Sequence, residues 1–266
     1  MRTLTFKLSY FKISILVVIF SGCYTVPETD RTSLNFIGTK AELRLGITEF
    51  EKLKQSTPVS SDPDETDQLQ RVGRRISEAV GSNLPAAQWE FVLFDDGETV
   101  NAFALPGGKV GVYAGILDIA STDDELATVI GHEIAHVTAR HGSERMSQGI
   151  VAALWGLVLN ESLRGDKNKD QWMAAYGLGA GYAVAYPFSR KHELEADEIG
   201  VIYAAQAGYD PRASIEFWMK MNLMKGDSRR SQFFSTHPSD MKRIDRLKAL
   251  MPMVIPIYEL NKGRFQ

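Results

Sequence analysis

His132-Glu133-Ile134-Ala135-His136 is the stretch that decides how this chain is interpreted. It has the H-E-x-x-H pattern, in which two histidines bind one metal ion and the glutamate acts as a base. Residues 123–141 predict a helix, because Thr122 and Glu125 have capping-box spacing before a run of periodic apolar residues. Positions i and i+4 of a helix lie about 5.4 Å apart on one face. The pattern therefore predicts a metal site with Glu133 beside it.

A catalytic zinc site needs a third protein ligand and one open position for water. Residues 192–200 predict a helix, on which Glu193 and Asp197 share a face. Such a pair suits one carboxylate on the metal and one that orients a ligand histidine, although a solvated acidic face is the alternative. At this stage the candidates for the third ligand are Glu193, Glu195, Asp197, Glu198, His192 and His237, with His192 expected to be exposed.

The composition limits the class of protein. The chain has 266 residues, of which 44% are hydrophobic and 24% charged, and its net charge is −3. This is globular composition, and it excludes disordered, collagen-like and disulfide-scaffold proteins. No run of Lys and Arg indicates a nucleic-acid partner. The single cysteine excludes an intrachain disulfide and a zinc site built from thiolates.

The first 22 residues predict a secretory signal peptide. A basic stretch precedes an apolar run at residues 13–20, and Ser21-Gly22-Cys23 follows. This arrangement resembles a bacterial lipobox, in which the cysteine is lipidated and becomes the mature N-terminus. Because Tyr24 rather than an aspartate follows, the resemblance implies an outer-membrane lipoprotein that faces the periplasm. The alternative is an uncleaved anchor in which the cysteine occurs by chance.

The remaining sequence predicts one domain between two short extensions. Residues 23–40 are polar and predict a tether. We assign residues 41–252 to the domain and residues 253–266 to a C-terminal tail. Helical patterns flank three short strand patterns in the domain, which predicts an α+β fold. The apolar stretches at 149–159 and 173–188 are shorter than a membrane span, so we interpret them as buried core helices.

Five segments occur in the order typical of one enzyme family. In chain order they are Asn-Ala-Phe-Ala-Leu-Pro-Gly-Gly at 101–108, Gly-His-Glu-Ile-Ala-His-Val at 131–137, Arg-His at 140–141, Glu-Leu-Glu-Ala-Asp-Glu-Ile-Gly at 193–200 and Thr-His-Pro-Ser at 236–239. These segments resemble the HtpX and CAAX-prenyl-protease family of zinc metallopeptidases. The resemblance covers roughly residues 41–250, and is greatest to periplasmic BepA/LoiP-like and mitochondrial OMA-like members. It implies a mostly helical, gluzincin-type metalloprotease domain with a small β-sheet.

The same resemblance implies roles for individual residues. One Zn²⁺ per chain would be held by His132, His136 and Glu193, and zinc and Glu133 would activate water for peptide-bond hydrolysis. Asp197 closes the family's second motif and is implied as a residue that orients a ligand or donates a proton. The resemblance also implies that His237 is a fourth, inhibitory ligand. The alternative is that His237 caps a helix or lies at the surface.

The substrate and partners are predicted less directly. Asn101, Ala102 and Phe103 could form an edge strand that pairs with an extended substrate, or an ordinary strand of the sheet. The resemblance implies that the substrates are misfolded or unassembled envelope proteins. It also implies membrane contact through an N-terminal lipid on Cys23 and a link to outer-membrane assembly machinery. The alternative function is a non-proteolytic chaperone or assembly factor for outer-membrane proteins, but such a protein would not need Glu133.

Overall fold

The computed structural model describes residues 22–84, 86–185, 190–224 and 241–264, together with Phe233, Ser235 and His237, and leaves the side chains of residues 178–185 undescribed. The predicted signal peptide therefore lies almost entirely outside the described residues. The described part is mostly helical with two small sheets, which confirms the predicted α+β class. The chain divides into two compact units, one of residues 1–39 and 140–186 and the other of residues 40–139 and 187–266.

The larger unit, residues 40–139 and 187–266, carries the H-E-x-x-H segment. Its helices are α1 (Thr39–Ser56), α2 (Pro63–Val80), α3 (Asp123–Thr138), α6 (Arg190–Gln206), α7 (Ala213–Leu223) and α8 (Met241–Asn261). Its strands are β3 (Glu90–Phe94), β4 (Ala102–Leu105) and β5 (Lys109–Tyr113). Side chains cap the first turns of two of these helices. Asp62 caps α2 by accepting from Glu65 N, and Thr122 caps α3 by accepting from Glu125 N.

The sheet of this unit has the strand order β3-β5-β4. β3 is parallel to β5, and β4 is antiparallel to it, with Phe103 opposite Gly111. A Cβ at position 111 would lie 2.3 Å from the Phe103 ring, so glycine at this position leaves room for the ring. Within the described residues β4 has one strand neighbour only, so it is an edge strand as predicted, and it packs against α3.

Helix α3 is buried on almost every side, because α2, β4, α6 and α7 all pack against it. Its closest approach is to α6, where two glycines face each other. A Cβ on Gly131 would lie 2.8 Å from the carbonyl oxygen of Gly200, and one on Gly200 would lie 2.7 Å from His132 N. Only residues without a side chain allow two helix backbones to come this close. The contact brings the two chemical motifs of the sequence side by side.

The smaller unit contains a two-stranded sheet and two helices. Strands β1 (Cys23–Thr25) and β2 (Thr32–Leu34) are antiparallel, and helices α4 (His141–Ser162) and α5 (Lys169–Ala185) pack together. Arg31 bonds to both carboxylate oxygens of Glu144, at 3.2 and 2.9 Å, and Phe36 N donates to Ser147 Oγ at 2.8 Å. The segment predicted to be a tether is thus paired and attached to α4, and the predicted domain limits stay a prediction.

The interpretation of residues 149–159 as a buried core helix is wrong. Leu154, Trp155 and Leu157 on α4 are more than half exposed, as is Trp172 on α5. Apolar composition alone does not bury a helix, since burial requires another element to cover it. No helix among the described residues has both the length and the apolar character needed to cross a membrane.

The last helix is longer than its sequence pattern predicts. The pattern ends near residue 250, but α8 continues to Asn261 through Pro252 and Pro256. Val254 is fully buried beyond the first proline, and α8 packs against α6 and α7. This tertiary packing offsets the cost of the prolines, which sequence propensity treats as helix breakers.

Candidate metal centre

Four donor side chains from three segments of the larger unit form one buried cluster. His132 and His136 lie on α3, Glu193 on the first turn of α6, and His237 ahead of α8. Each offers one ligand atom, and these atoms all lie within 4.8 Å of one another. The four residues are at most 5% exposed. The structure therefore brings together the three predicted ligands and the predicted fourth.

The short distances in the cluster join atoms that carry lone pairs. Nε2 of His132 and Nε2 of His136 are 3.1 Å apart, and each lies 3.4 Å from a carboxylate oxygen of Glu193. Nδ1 of His237 is 3.2 Å from both His132 Nε2 and Glu193 Oε2. Such atoms repel one another unless a proton or a cation lies between them. Three imidazoles and one carboxylate form a donor set that suits zinc.

Asp197 contacts the first of these histidines. Its Oδ1 lies 2.9 Å from Nδ1 of His132, on the side of the ring opposite to the cluster. Burial favours the neutral form of Asp197, but Arg243 and the hydrogen bonds outweigh it and hold the pKa of this carboxyl below its usual value. A carboxylate accepts only, so Nδ1 carries the proton and the Nε2 lone pair is directed at the other donors.

The electrostatics of the cluster favour a positive charge at its centre. Burial opposes the charged form of His132, but the hydrogen bonds to Asp197 and Glu193 outweigh burial and raise its pKa to about 9. Burial likewise opposes the charged form of Glu193, but its contacts with His132 and His237 hold its pKa well below the usual value. The residues thus fit a metal cation.

Glu133 lies beside the donor set and outside it. Its Oε1 is buried, makes no hydrogen bond within the described residues, and lies 3.3 Å from Nε2 of His237. Burial raises the pKa of Glu133 above its ordinary value. A carboxyl group in this position can take up and release a proton near the metal site, as a general base requires.

The other candidates for the third ligand lie elsewhere. His192 is buried, at 4% exposure, and the expectation that it is exposed is wrong because most of α6 from His192 onward is buried. Glu195 is also buried, and Glu198 forms an ion pair with Arg246 at the surface. Neither His192 nor these two glutamates belongs to the cluster found among the described residues.

The predicted substrate residues adjoin the motif helix. Asn101 precedes β4, and its carbonyl accepts from Tyr113 N. Ala102 is buried, and the Phe103 ring lies against Phe50 and Phe94 inside the sheet. The Phe103 side chain is therefore partly buried against the core cluster of Phe50, Val92 and Phe94. The outer backbone edge of β4 pairs with no other strand among the described residues.

Two residues that the sequence analysis did not single out lie against the centre. Arg243 on α8 is bonded to Asp197, and its guanidinium lies over the ring of Trp218 on α7. No sequence signal marks them, because an arginine in an amphipathic helix is ordinarily exposed and a tryptophan is ordinarily core. Cys23, the predicted lipidation site, is exposed at the start of β1 in the smaller unit.

Comparison with known proteins identifies three informative relatives. The mitochondrial metalloendopeptidase OMA1 of Saccharomyces cerevisiae is 30% identical over 268 residues, covering 92% of this chain and 76% of that protein. OMA1 of Arabidopsis thaliana is 39% identical over 189 residues, covering 70% of this chain and 37% of that protein. The beta-barrel assembly-enhancing protease of Escherichia coli is 29% identical over 240 residues, covering 87% and 49%. The chain thus spans between about a third and three quarters of their lengths.

The predicted location in a bacterial outer membrane, facing the periplasm, is wrong. Relatives from budding yeast, Arabidopsis thaliana, fission yeast and Homo sapiens carry names that assign them to mitochondria. A basic stretch followed by an apolar run indicates a targeted protein, but the destination depends on finer features of the segment. The small residues before Cys23 do not specify the compartment to which a protein is targeted.

The sequence model of peptidase family M48 matches residues 63–251. This range begins at the first residue of α2 and extends into α8, so it contains the sheet, both motif helices and all four residues of the cluster. The relatives with metalloendopeptidase names agree with the buried donor set. The chain belongs to peptidase family M48 and is a zinc metalloendopeptidase.

Proposed function

We propose that His132, His136 and Glu193 hold the zinc ion of this peptidase and that Glu133 is the general base of peptide-bond hydrolysis. One observation carries the proposal: the donor atoms of the two histidines and the glutamate converge in one buried cluster, with Glu133 next to it. Three protein ligands leave one position for water or substrate, as catalytic zinc sites do.

The residues divide the chemistry among them. When bound, zinc acts as a Lewis acid on the substrate carbonyl and lowers the pKa of water. Oε1 of Glu133 accepts the proton of the attacking water and returns it to the leaving amine. Its raised pKa suits this exchange, because a base whose pKa lies nearer to neutrality can also give the proton back. Asp197 keeps His132 in the tautomer that can bind the metal.

His237 is proposed to restrain this chemistry in the resting protein. Its two ring nitrogens face different partners: Nδ1 faces His132 and Glu193, and Nε2 faces Glu133. In this proposal one imidazole takes the position left by the three ligands and also contacts the base. Substrate binding would require this ring to leave, so His237 acts as an inhibitory fourth ligand.

The proposed substrates are misfolded or unassembled proteins, which present extended segments. The support is the outer edge of β4, which has no strand partner in the described part of the chain and packs beside the helix that carries Glu133. An extended chain can add to such an edge through backbone hydrogen bonds, which read little of the sequence. Because the Phe103 ring packs against Phe50 and Phe94, Asn101, Ala102 and Phe103 would contribute backbone groups more than side chains.

The direct test is metal analysis with casein cleavage, comparing wild type with Glu133→Gln. We expect one zinc per chain in both proteins, and cleavage by wild type only. Glu198→Gln is the matched control, because Glu198 lies on α6 in a surface ion pair outside the cluster. Cleavage by Glu133→Gln at the wild-type rate would refute the assignment of the base. A wild-type protein that binds no zinc would refute the ligand set.

A further inference from the structure

Arg243 is a buried cation that contacts two carboxylates of the metal centre. It is 2% exposed, although arginine is almost never fully buried unless it is paired. Nε donates to Asp197 Oδ2 and Nη2 to Asp197 Oδ1, both at 2.6 Å. Nη1 lies 3.1 Å from Glu193 Oε2. One guanidinium therefore touches the residue behind His132 and the proposed third ligand at once.

The two contacts differ in geometry. The pair with Asp197 is bidentate, which fixes the plane and the rotation of the carboxylate as well as its distance. The contact with Glu193 involves one nitrogen and holds Oε2 only. A single point charge could not satisfy both, because the donors must point in two directions from one rigid plane.

Trp218 supports the guanidinium from one face. The Cζ atom of Arg243 lies 3.5 Å from the centroid of the Trp218 ring, and Trp218 is 1% exposed. The same ring meets His132 edge to face, with the centroids 5.9 Å apart. The indole therefore limits where both the guanidinium and the imidazole can move, and it adds a cation–π attraction for the charge.

The charges of the centre explain why a cation is needed at this position. Glu133, Glu193 and Asp197 are three buried carboxyl groups, and Arg243 is a buried cation that contacts Asp197 and Glu193. With all three ionised, a divalent metal ion and one guanidinium balance the charge. Unpaired buried charges are costly, so losing Arg243 would favour protonation or displacement of the carboxylates.

We infer that Arg243 is a positioning residue of the metal centre. Its guanidinium, held against Trp218, fixes the Asp197 carboxylate behind His132 and the Glu193 carboxylate beside both histidines, so that the ligand atoms converge on one point. The inference rests on the proposed ligand set of His132, His136 and Glu193. It adds a residue that touches neither the metal nor the substrate and acts through the ligands.

The experiment measures zinc affinity in the full chain by competition with a chromophoric chelator, alongside the visible spectrum of the cobalt-substituted protein. Arg243→Gln should raise the zinc Kd by about 10- to 100-fold, as for other partners of metal ligands, and change the cobalt spectrum. Arg75→Gln is the matched control. Arg75 also lies over an aromatic ring, that of Tyr209, and binds the carbonyls of Ala207 and Gly208 away from the centre.

A purely structural role predicts a different result. In that case Arg243→Gln and Arg75→Gln would both lower the melting temperature and leave the zinc Kd and the cobalt spectrum unchanged, which would overturn the inference. If wild type binds no zinc, the ligand set itself has failed. If wild type and Arg243→Gln bind zinc with equal affinity, only the positioning role of Arg243 is rejected.

Arg243→Lys decides the question if Arg243→Gln does not fold. Lysine keeps the charge but cannot make the bidentate pair. We expect the Lys variant to fold and to bind zinc more weakly than wild type, with an altered cobalt spectrum. Wild-type affinity and spectrum in the Lys variant would show that the geometry of the guanidinium is irrelevant, and would overturn the inference.

Discussion

Helices α3 and α4 are separated by only Ala139 and Arg140, yet their environments are opposite. Helix α3 carries two histidines, three glutamate or aspartate residues at its start and the proposed base Glu133, and nearly all of it is buried. Residues 149–159 of α4 carry no charge, and several of their largest side chains are exposed. The difference teaches that burial follows from how many elements pack on a helix, and that hydropathy is a poor guide to it in this chain.

The largest expected effect comes from removing a ligand in the buried region. Glu193→Ala should weaken zinc binding by more than the roughly 100-fold seen for partners of ligands, and abolish cleavage, because the cluster loses its carboxylate donor and the remaining fourth donor, His237, takes the position that water needs. Metal analysis after dialysis and a casein assay measure both. Glu198→Ala, on the same helix, should keep its zinc and its activity. Full zinc content in Glu193→Ala would mean that another donor, either His237 or a different carboxylate, is the third ligand.

The difference in burial between α3 and α4 can be tested directly by truncating one leucine in each helix. Leu126 on α3 is fully buried, whereas Leu157 on α4 is 67% exposed. Leu126→Ala should lower the free energy of unfolding by about 2 to 5 kcal/mol, since it leaves a cavity. Leu157→Ala should change it by no more than about 0.5 kcal/mol. Denaturant titration gives both values, and equal losses would show that α4 is covered in solution.

Glycine substitutions test the close approach of α3 to α6. A Cβ at Gly131 would meet the backbone of Gly200, which cannot move aside as a side chain could. Gly131→Ala should therefore cost about 1 to 3 kcal/mol of stability and loosen the zinc site. Gly177→Ala in α5 is the matched control, because nothing lies within 4 Å of its Cβ position and alanine favours a helix. Thermal unfolding should rank Gly131→Ala below wild type and Gly177→Ala at or above it.

The smallest expected effect concerns the fourth residue of the cluster. His237→Ala should retain zinc through three ligands and cleave unfolded casein a few times faster than wild type, because the ring no longer occupies the open position. Initial rates at equal zinc content measure the effect. Loss of cleavage with the fold and the zinc intact would instead make His237 a catalytic or substrate-positioning residue.

Several features were predictable because they depend on residues close in sequence. The spacing of His132, Glu133 and His136 places two ligands and a base on one helix, and helical periodicity alone carries this. The cap at Thr122 is likewise local, and it is present in the structure. The strand patterns between residues 89 and 113 also correspond to the observed β3, β4 and β5.

Other features depend on segments distant in sequence, and only the folded chain decides them. Arg243 meets Asp197 across 46 residues, and His237 meets His132 across 105, so no local pattern brings them together. Helix α8 continues past Pro252 because α6 and α7 pack along it, while α4 stays exposed because the described elements leave much of it uncovered. Local spacing is a property of one helix, whereas burial, charge pairing and the convergence of donor atoms are properties of several elements packed together.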